Sequence, residues 1–436
     1  MSGVTGKEIF TLMKNNLCKW SSMIIGEIVM LFIGIIYAWS ILKEPFASEF
    51  GWTASALALN FTITMICFCL GQLLAGVMLK RFSLRITILF AAVLACAGFM
   101  IASSVNQGTI VLLYLSYGIL AGLGMGMMFN ISVSIPSMWF PETKGTCSGA
   151  LMMGFGASTL IMGKVSASLL EAFGWRPTYR IIAIAAGAVI ARSAFLMSAP
   201  KAESTPASTS EEASPNADRV ADNASGRDYT SAEMLHTRVF WILALFLVLA
   251  SSLGNSTISM AKDIALYEGV SANLATILVG LLSLCNGLSR FVMGVVYDHK
   301  GLSFTIKLDG AIVCIAAVIA LIALQFGGVI LATVSLCIIG FSYGTQPVVT
   351  SSTVTALFGS KNFTMNFAIT NLSIIVTSLI TTVSGVLLTN FGTFFAPYFM
   401  LLIFAVVALI LSTQIKPDSD AVPAGSASLR PHSQQE

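Results

Sequence analysis

Arg290 stands in an apolar stretch, within the run Asn286-Gly287-Leu288-Ser289-Arg290 and one helical turn before a Gly-x-x-x-Asp-x-x-Gly loop that begins at Gly294. A guanidinium stays protonated in any protein environment and presents a planar fork of donors that matches a carboxylate. Burying one in a membrane helix costs roughly 2.5–3.5 kcal/mol on insertion scales, so such an arginine is read first as a binding group. The plainer alternative is an arginine tied to a neighbouring carboxylate or helix end.

Other ionisable residues also fall in apolar stretches. Glu27 lies about one and a half turns into the first such stretch. It either takes up a proton there and couples it to function, or sits at the boundary and reaches for water or Lys19. Lys164 and Arg192 lie near stretch ends, where long side chains snorkel to the interface. Should Lys164 face the interior instead, it supplies a second positive charge. Asp309 is expected to pair with Lys307 or with interfacial water. Asn366, Thr370 and Asn371 form a polar patch that either meets a ligand or bonds across to another helix.

These groups need a membrane scaffold around them. Charged residues make up 10% of the 436-residue chain and apolar residues 56%, the balance of a polytopic membrane protein. A span needs about 20 mostly apolar residues, and twelve segments qualify: 21–42, 54–79, 86–104, 108–134, 145–169, 178–198, 240–261, 274–297, 304–325, 328–357, 363–390 and 392–414. The start, with Lys7, Lys14 and Lys19, has no small-residue cleavage site after a short apolar core, so segment 21–42 is expected to remain as the first helix. Lys80, Arg81, Arg85, Lys144, Lys300, Lys307, Lys361 and Lys416 would then share one side with the termini, and Lys43, Arg176, Arg180 and Lys262 the other. The positive-inside rule makes the first side cytoplasmic. The net charge of +3 follows from that bias and gives no reason to expect a nucleic-acid partner. The eight cysteines show no paired CxxC spacing, and His236, His299 and His432 fall apart in sequence, so neither metal nor other cofactor is expected.

Between Pro200 and Glu233 the composition turns to Ser, Ala, Glu, Asp, Asn and Pro, which cannot bury enough apolar surface to fold. The expected organisation is a cytoplasmic N-terminus over 1–20, six helices over 21–199, a linker over 200–239, six helices over 240–415 and a disordered tail over 416–436. A repeat supports two halves: GVMLKRFSLR from Gly76 has its counterpart in GVVYDHKGLS from Gly294, about 218 residues on. Lys144 and Lys361 mark nearly the same offset. Parallel six-helix repeats place a substrate at the midplane between halves. Gly118, Gly122, Gly124 and Gly126, and then Gly149, Gly154 and Gly156, are expected to let helix backbones approach closely.

With these features the chain resembles the major facilitator superfamily, whose loop signature Gly-x-x-x-Asp-(Arg/Lys)-x-Gly is matched at Gly294, Asp298 and Gly301. The first copy departs from it, with Lys80 and Ser83 where aspartate and glycine stand in the family, which puts the N-half conformational latch in doubt. Within the superfamily it looks most like the oxalate/formate antiporters, neighbours of the monocarboxylate porters. Four stretches carry that likeness: YAWS at Tyr37–Ser40, YGILAGLGMGMMFN at Tyr117–Asn130 with WFPETKG at Trp139–Gly145, NGLSRFVMGVVYDHKG around Arg290, and GFSYG at Gly340–Gly344.

The resemblance implies an all-α fold of two six-helix bundles and a monomeric carrier of small carboxylate anions, with protons or a counter-transported anion as coupling partner. It also implies that Arg290 anchors the carboxylate and that Tyr37, Tyr117, Tyr343 and Asn371 line the site. The family's helix-eleven lysine is missing, because NLSI at Asn371–Ile374 stands in its place and no Lys or Arg occurs between Asn362 and Gln414. One cation suits a monoanion such as lactate, pyruvate or formate better than oxalate, whose second carboxylate would be desolvated without a partner. Asn286 occupies the position at which proton-coupled porters carry an aspartate, so symport and exchange both stay open. A carboxylate sensor on the same fold is the alternative from a different class. An enzyme ranks last, since there is no intramembrane histidine and no nucleotide-binding loop.

Overall fold

The computed structural model describes residues 6–200 and 228–415. The N-terminal residues 1–5, most of the expected linker and the tail from 416 lie outside the described residues. All regular structure among those described is helical. Eleven stretches are long and apolar enough to cross a membrane. One of them, Asn273–Phe326, has 54 residues, about twice the length that a bilayer needs, and it is broken at Gly301 (φ 74°, ψ −179°). Only glycine adopts that backbone readily, so the chain turns back there and makes twelve passes among the described residues.

We number these α1 (Gly6–Ile33, continued by a 3-10 turn Gly34–Ala38), α2 (Ala54–Arg81), α3 (Leu84–Ala102), α4 (Ile110–Ser137), α5 (Lys144–Phe173) and α6 (Trp175–Leu196). The second half comprises α7 (Arg238–Tyr267), α8 (272–300), α9 (302–326), α10 (Val329–Phe358), α11 (Phe363–Phe391) and α12 (Phe395–Ser412). The starts carry ordinary caps: Thr53 and Ser83 accept from the N–H groups of Ala56 and Ile86. Ser22, in the second half of α1, is tied to Ser198, just past the end of α6. We call the membrane face at that junction the terminal face and the opposite one the distal face.

Three irregularities matter for the site. The 3-10 turn contains Tyr37, a π-helical stretch Tyr114–Ala121 in α4 contains Tyr117, and α11 breaks between Thr370 and Ser373, where Asn371 sits. Such interruptions change the phase of a helix relative to 3.6 residues per turn.

The glycines are close-approach positions. A Cβ at Gly126 would lie 2.0 Å from the carbonyl oxygen of Phe68, one at Gly149 2.5 Å from that of Arg290, and one at Gly156 3.0 Å from Gly287 Cα. The α2/α4 seam and the α5/α8 seam between the halves are thus packed backbone to backbone.

The structure departs from the composition reading at 228–237. Ser231–His236 forms a short helix with a capping box between Thr230 and Glu233. It docks on the second half, where Ser231 donates to Asn366 Oδ1 at 2.8 Å and Met234 is fully buried. A polar segment folds here because a preformed surface offers it partners.

Candidate functional site

Arg290 is 4% exposed, at the seam between α8 and α5. Its Nε and one Nη donate to Asn286 Oδ1, one turn back on the same helix, at 3.2 and 2.9 Å. The other Nη crosses to the first half and donates to the carbonyl of Met152 at 3.0 Å. The guanidinium also lies over the ring of Phe155, 5.7 Å from its centroid. Every one of these partners is neutral. A guanidinium has five N–H donors; three are taken up, and two have no acceptor among the described residues.

Tyr37 and Tyr343 both lie close enough to Arg290 to interact with it electrostatically. Tyr37 packs edge-on against Phe155, with centroids 5.1 Å apart. Tyr343 donates to Asn255 Oδ1 on α7 at 3.4 Å. A cluster drawn from α1, α5, α7, α8 and α10 therefore surrounds the arginine. Asn255, Phe155 and the Met152 carbonyl were missed from the sequence. Asn255 had a signal, being an amide in the middle of an apolar span.

Other expected site residues lie elsewhere. Tyr117 is fully buried inside the first bundle against Trp39, Phe99 and Tyr179, and its hydroxyl has no partner among the described residues. Lys164 is exposed, and it lies twelve residues beyond Met152 on α5, about 18 Å toward the distal face at 1.5 Å per residue. Arg192 is exposed as well. Asn371 bonds across the halves, its amide N–H donating to Gln72 Oε1 on α2 at 2.7 Å. The polar patch is likewise satisfied by protein, since Asn366 donates to the carbonyl of Tyr229 at 3.1 Å and Thr370 to that of Asn366 at 2.8 Å.

Glu27 does not reach Lys19, which lies over the ring of Phe140 instead. It is half-buried against Gly154 of α5, where a Cβ would meet its Oε1 at 2.3 Å, and its Oε2 has no partner among the described residues. Asp309 corrects the sequence reading more sharply. It is fully buried, with Thr345 and Gln346 of α10 as partners rather than Lys307 or interfacial water.

The halves are held together from Arg290 to the terminal face. Asp298 accepts from the N–H groups of Gly145 and Thr146 at 2.9 and 2.6 Å, so the loop signature caps the start of α5. On the other side of the bundle Asn130 donates to the carbonyls of Gln72 and Thr364, both at 2.9 Å, beside the Gln72–Asn371 bond. Where the first copy of the signature is degraded, Ser83 caps α3 and Lys80 is exposed. Amide bonds thus close the α2/α4/α11 seam in place of a second aspartate latch.

The arrangement of two six-helix halves matches what sequence comparison finds. Residues 25–373 match the Major Facilitator Superfamily profile. The chain belongs to that superfamily. Similar proteins include the MFS-type transporter YhjX of Escherichia coli (strain K12), 26% identical over 80% of this chain and 83% of that one. The oxalate:formate antiporter of Oxalobacter formigenes is 24% identical over 80% of each chain. Monocarboxylate transporter 12 of Xenopus laevis is 28% identical over 32% of this chain and 29% of its own length. Among solved structures, FucP in the outward conformation superposes with a TM-score of 0.68 at 16% identity, covering 91% of this chain and 99% of that one. The proton:xylose symporter XylE, bound to 6-bromo-6-deoxy-D-glucose, gives 0.67 at 15%, covering 92% and 97%. These structures bear on the fold alone. The protein is accordingly a multi-pass membrane transporter of the major facilitator fold, and its relatives are carriers rather than enzymes.

Proposed function

We propose that this transporter carries small carboxylate anions by rocker-switch alternating access, with Arg290 as the anchor. The observation that carries the reading is the donor count at Arg290: three N–H groups are spent on neutral acceptors and two remain, the number one carboxylate takes up in a bidentate pair. An anion there neutralises a charge that the protein leaves uncompensated, and Tyr37 offers a hydroxyl donor for a remaining oxygen. With one cation at the site, monoanions such as lactate, pyruvate or formate are favoured over oxalate. We assign the terminal face to the cytoplasm of a cell-membrane carrier, on the charge asymmetry of the loops.

The bond from Arg290 to the Met152 carbonyl ties the two halves together. A carboxylate that draws the guanidinium toward itself weakens that tie and lowers the cost of parting α5 from α8. The loaded carrier then reorients more readily than the empty one, which is the differential stabilisation that coupling requires. Exchange is the mode this favours, because an empty carrier retains the tie. The oxalate:formate antiporter, similar over most of the chain, makes oxalate-for-formate exchange the second reading to test.

The test is uptake of labelled lactate, pyruvate, formate and oxalate into proteoliposomes, with and without internal unlabelled substrate, by wild type and Arg290→Lys. Arg290→Lys is expected to lose most uptake, since a point charge does not reproduce a bidentate fork. Unchanged uptake and affinity in that variant would sink the assignment.

A further inference from the structure

Asp309 is the fully buried carboxyl that the reading of Arg290 leaves without a role. It lies on α9 inside the second bundle and faces consecutive residues of α10. Thr345 Oγ1 meets its Oδ1, and Gln346 Nε2 donates to its Oδ2 at 2.9 Å. No cation stands among these partners. Lys307, two residues earlier, is exposed, because residues two apart on a helix do not share a face.

The hydrogens at this cluster can be counted. Thr345 has one hydroxyl hydrogen, yet its Oγ1 is in hydrogen-bond contact both with Asp309 Oδ1 and, at 2.6 Å, with the carbonyl of Ser342. If that hydrogen goes to Ser342, the contact with Asp309 needs a hydrogen from the carboxyl, which an ionised carboxylate does not have. If it goes to Asp309, two oxygens face each other at 2.6 Å with no hydrogen between them. A protonated Asp309 satisfies both contacts. Gln346 adds the means to serve either state: its Oε1 is buried without a partner among the described residues, so rotating the amide exchanges a donor for an acceptor toward the carboxyl.

The same turn of α10 touches the anchor. Gly344 packs on α8 so closely that a Cβ would lie 2.0 Å from the carbonyl of Asn286 and 2.1 Å from Ser289 Oγ, and Asn286 is the residue that holds the guanidinium. Pro347 follows within the helix. Having no N–H, it leaves the helix weaker at this turn. Of the ionisable groups on the helices packed around α9, Arg290 and Asp298 of α8, Tyr343 of α10 and Tyr398 of α12 are each engaged elsewhere, and none is a partner of Asp309.

We propose that Asp309, Thr345 and Gln346 form a proton-binding site in the second bundle, occupied in the state closed toward the terminal face, and that its occupancy is linked to the α8 turn that carries Arg290. The linkage rests on the carboxylate-carrier reading above; the proton site itself does not. Movement of α8 on loading displaces Gly344 and with it Thr345 and Gln346, so the carboxyl's partners differ between the two ends of the transport cycle.

Infrared spectra of purified Glu27→Gln/Glu268→Gln protein at neutral pH test the site, because Asp309 is then the buried carboxyl left in that protein among those described as lacking a charged partner. A protonated-carboxyl C=O band that shifts in deuterated buffer and disappears in the added Asp309→Asn change is the expected result. Absence of that band with Asp309 in place overturns the proposal, whether or not Asp309→Asn folds. Proteoliposomes test the linkage. Asp309→Asn is expected to keep substrate counterflow and to lose the component of uptake driven by an imposed pH gradient. Gradient-driven uptake that persists unchanged, or wild-type uptake indifferent to the gradient, overturns the linkage. Wild-type protein that moves no carboxylate at all refutes the carrier reading instead, and the infrared band still decides the proton site.

Discussion

At Arg290 a permanent charge is held by acceptors without charge of their own, the Asn286 amide and the Met152 carbonyl. Asn286→Ala removes the acceptor of two of those bonds. Hydrogen bonds to charged groups contribute about 1.5–3 kcal/mol each, so affinity for lactate in equilibrium binding is expected to fall, through misplacement of the fork, by at least about ten-fold, the equivalent of about 1.4 kcal/mol. Unchanged affinity would mean that the fork is positioned by Met152 and Phe155 alone. Glu268 makes a separate residue-scale case, in the loop after α7. It is 6% exposed, neither carboxyl oxygen has a partner among the described residues, and burial pushes its pKa up to about 7. A carboxyl raised in this way contributes stability that is complete below its unfolded value near 4.5 and is lost as pH rises through about 7. Glu268→Gln is therefore expected to raise the melting temperature of detergent-solubilised protein at pH 8 and to leave it nearly unchanged at pH 4.5.

The seams between helices set the element scale. At Gly149 an added side chain would begin 2.5 Å from the Arg290 carbonyl, and that neighbour is backbone, which cannot swing aside. Gly149→Val should therefore abolish uptake while the protein still inserts, because the α5/α8 seam cannot close. Gly280, which has open space around its Cβ position, provides the control, and Gly280→Ala should transport like wild type. Equal activity of Gly149→Val and wild type would show that this seam does not need to close. The Asp298 cap acts on the same seam from its terminal end. Its two bonds to N–H groups join a charge to a helix start, and losing them in Asp298→Ala should favour opening toward the terminal face.

Across the whole molecule, closure depends on unlike fastenings on its two sides: the Asp298 cap and the Arg290–Met152 bond on one, and amide bonds among Gln72, Asn130, Thr364 and Asn371 on the other. Cys69 reports on the second. It is fully buried, and its thiol lies 3.7 Å from the carbonyl of Asn371. Breaking a net hydrogen bond of about 1 kcal/mol shifts an open–closed equilibrium about five-fold. Gln72→Ala should accordingly raise the labelling rate of Cys69 by a membrane-impermeant thiol reagent applied from the terminal face. A rate equal to wild type would show that the amide seam does not control closure.

The twelve-pass architecture was legible in the sequence because its cause is local: each pass needs about 20 apolar residues in a row, and a charge in such a run stands out without knowledge of its neighbours. Arg290 was visible for that reason, and so were the glycines that let backbones meet. Which way a polar side chain faces is a different kind of question. Tyr117 sits in a π-helical stretch and Asn371 at a break in α11, where counting at 3.6 residues per turn loses phase. For Asp309 the sequence points to Lys307 or interfacial water, although its partners lie 36 and 37 residues away on α10. Composition set which groups must be buried and where the chain crosses the bilayer. Only the packing of one helix on another decided whether a buried group meets the arginine, the opposite half or another polar side chain, because that depends on helix phase and neighbour identity, neither of which is a local property of the chain.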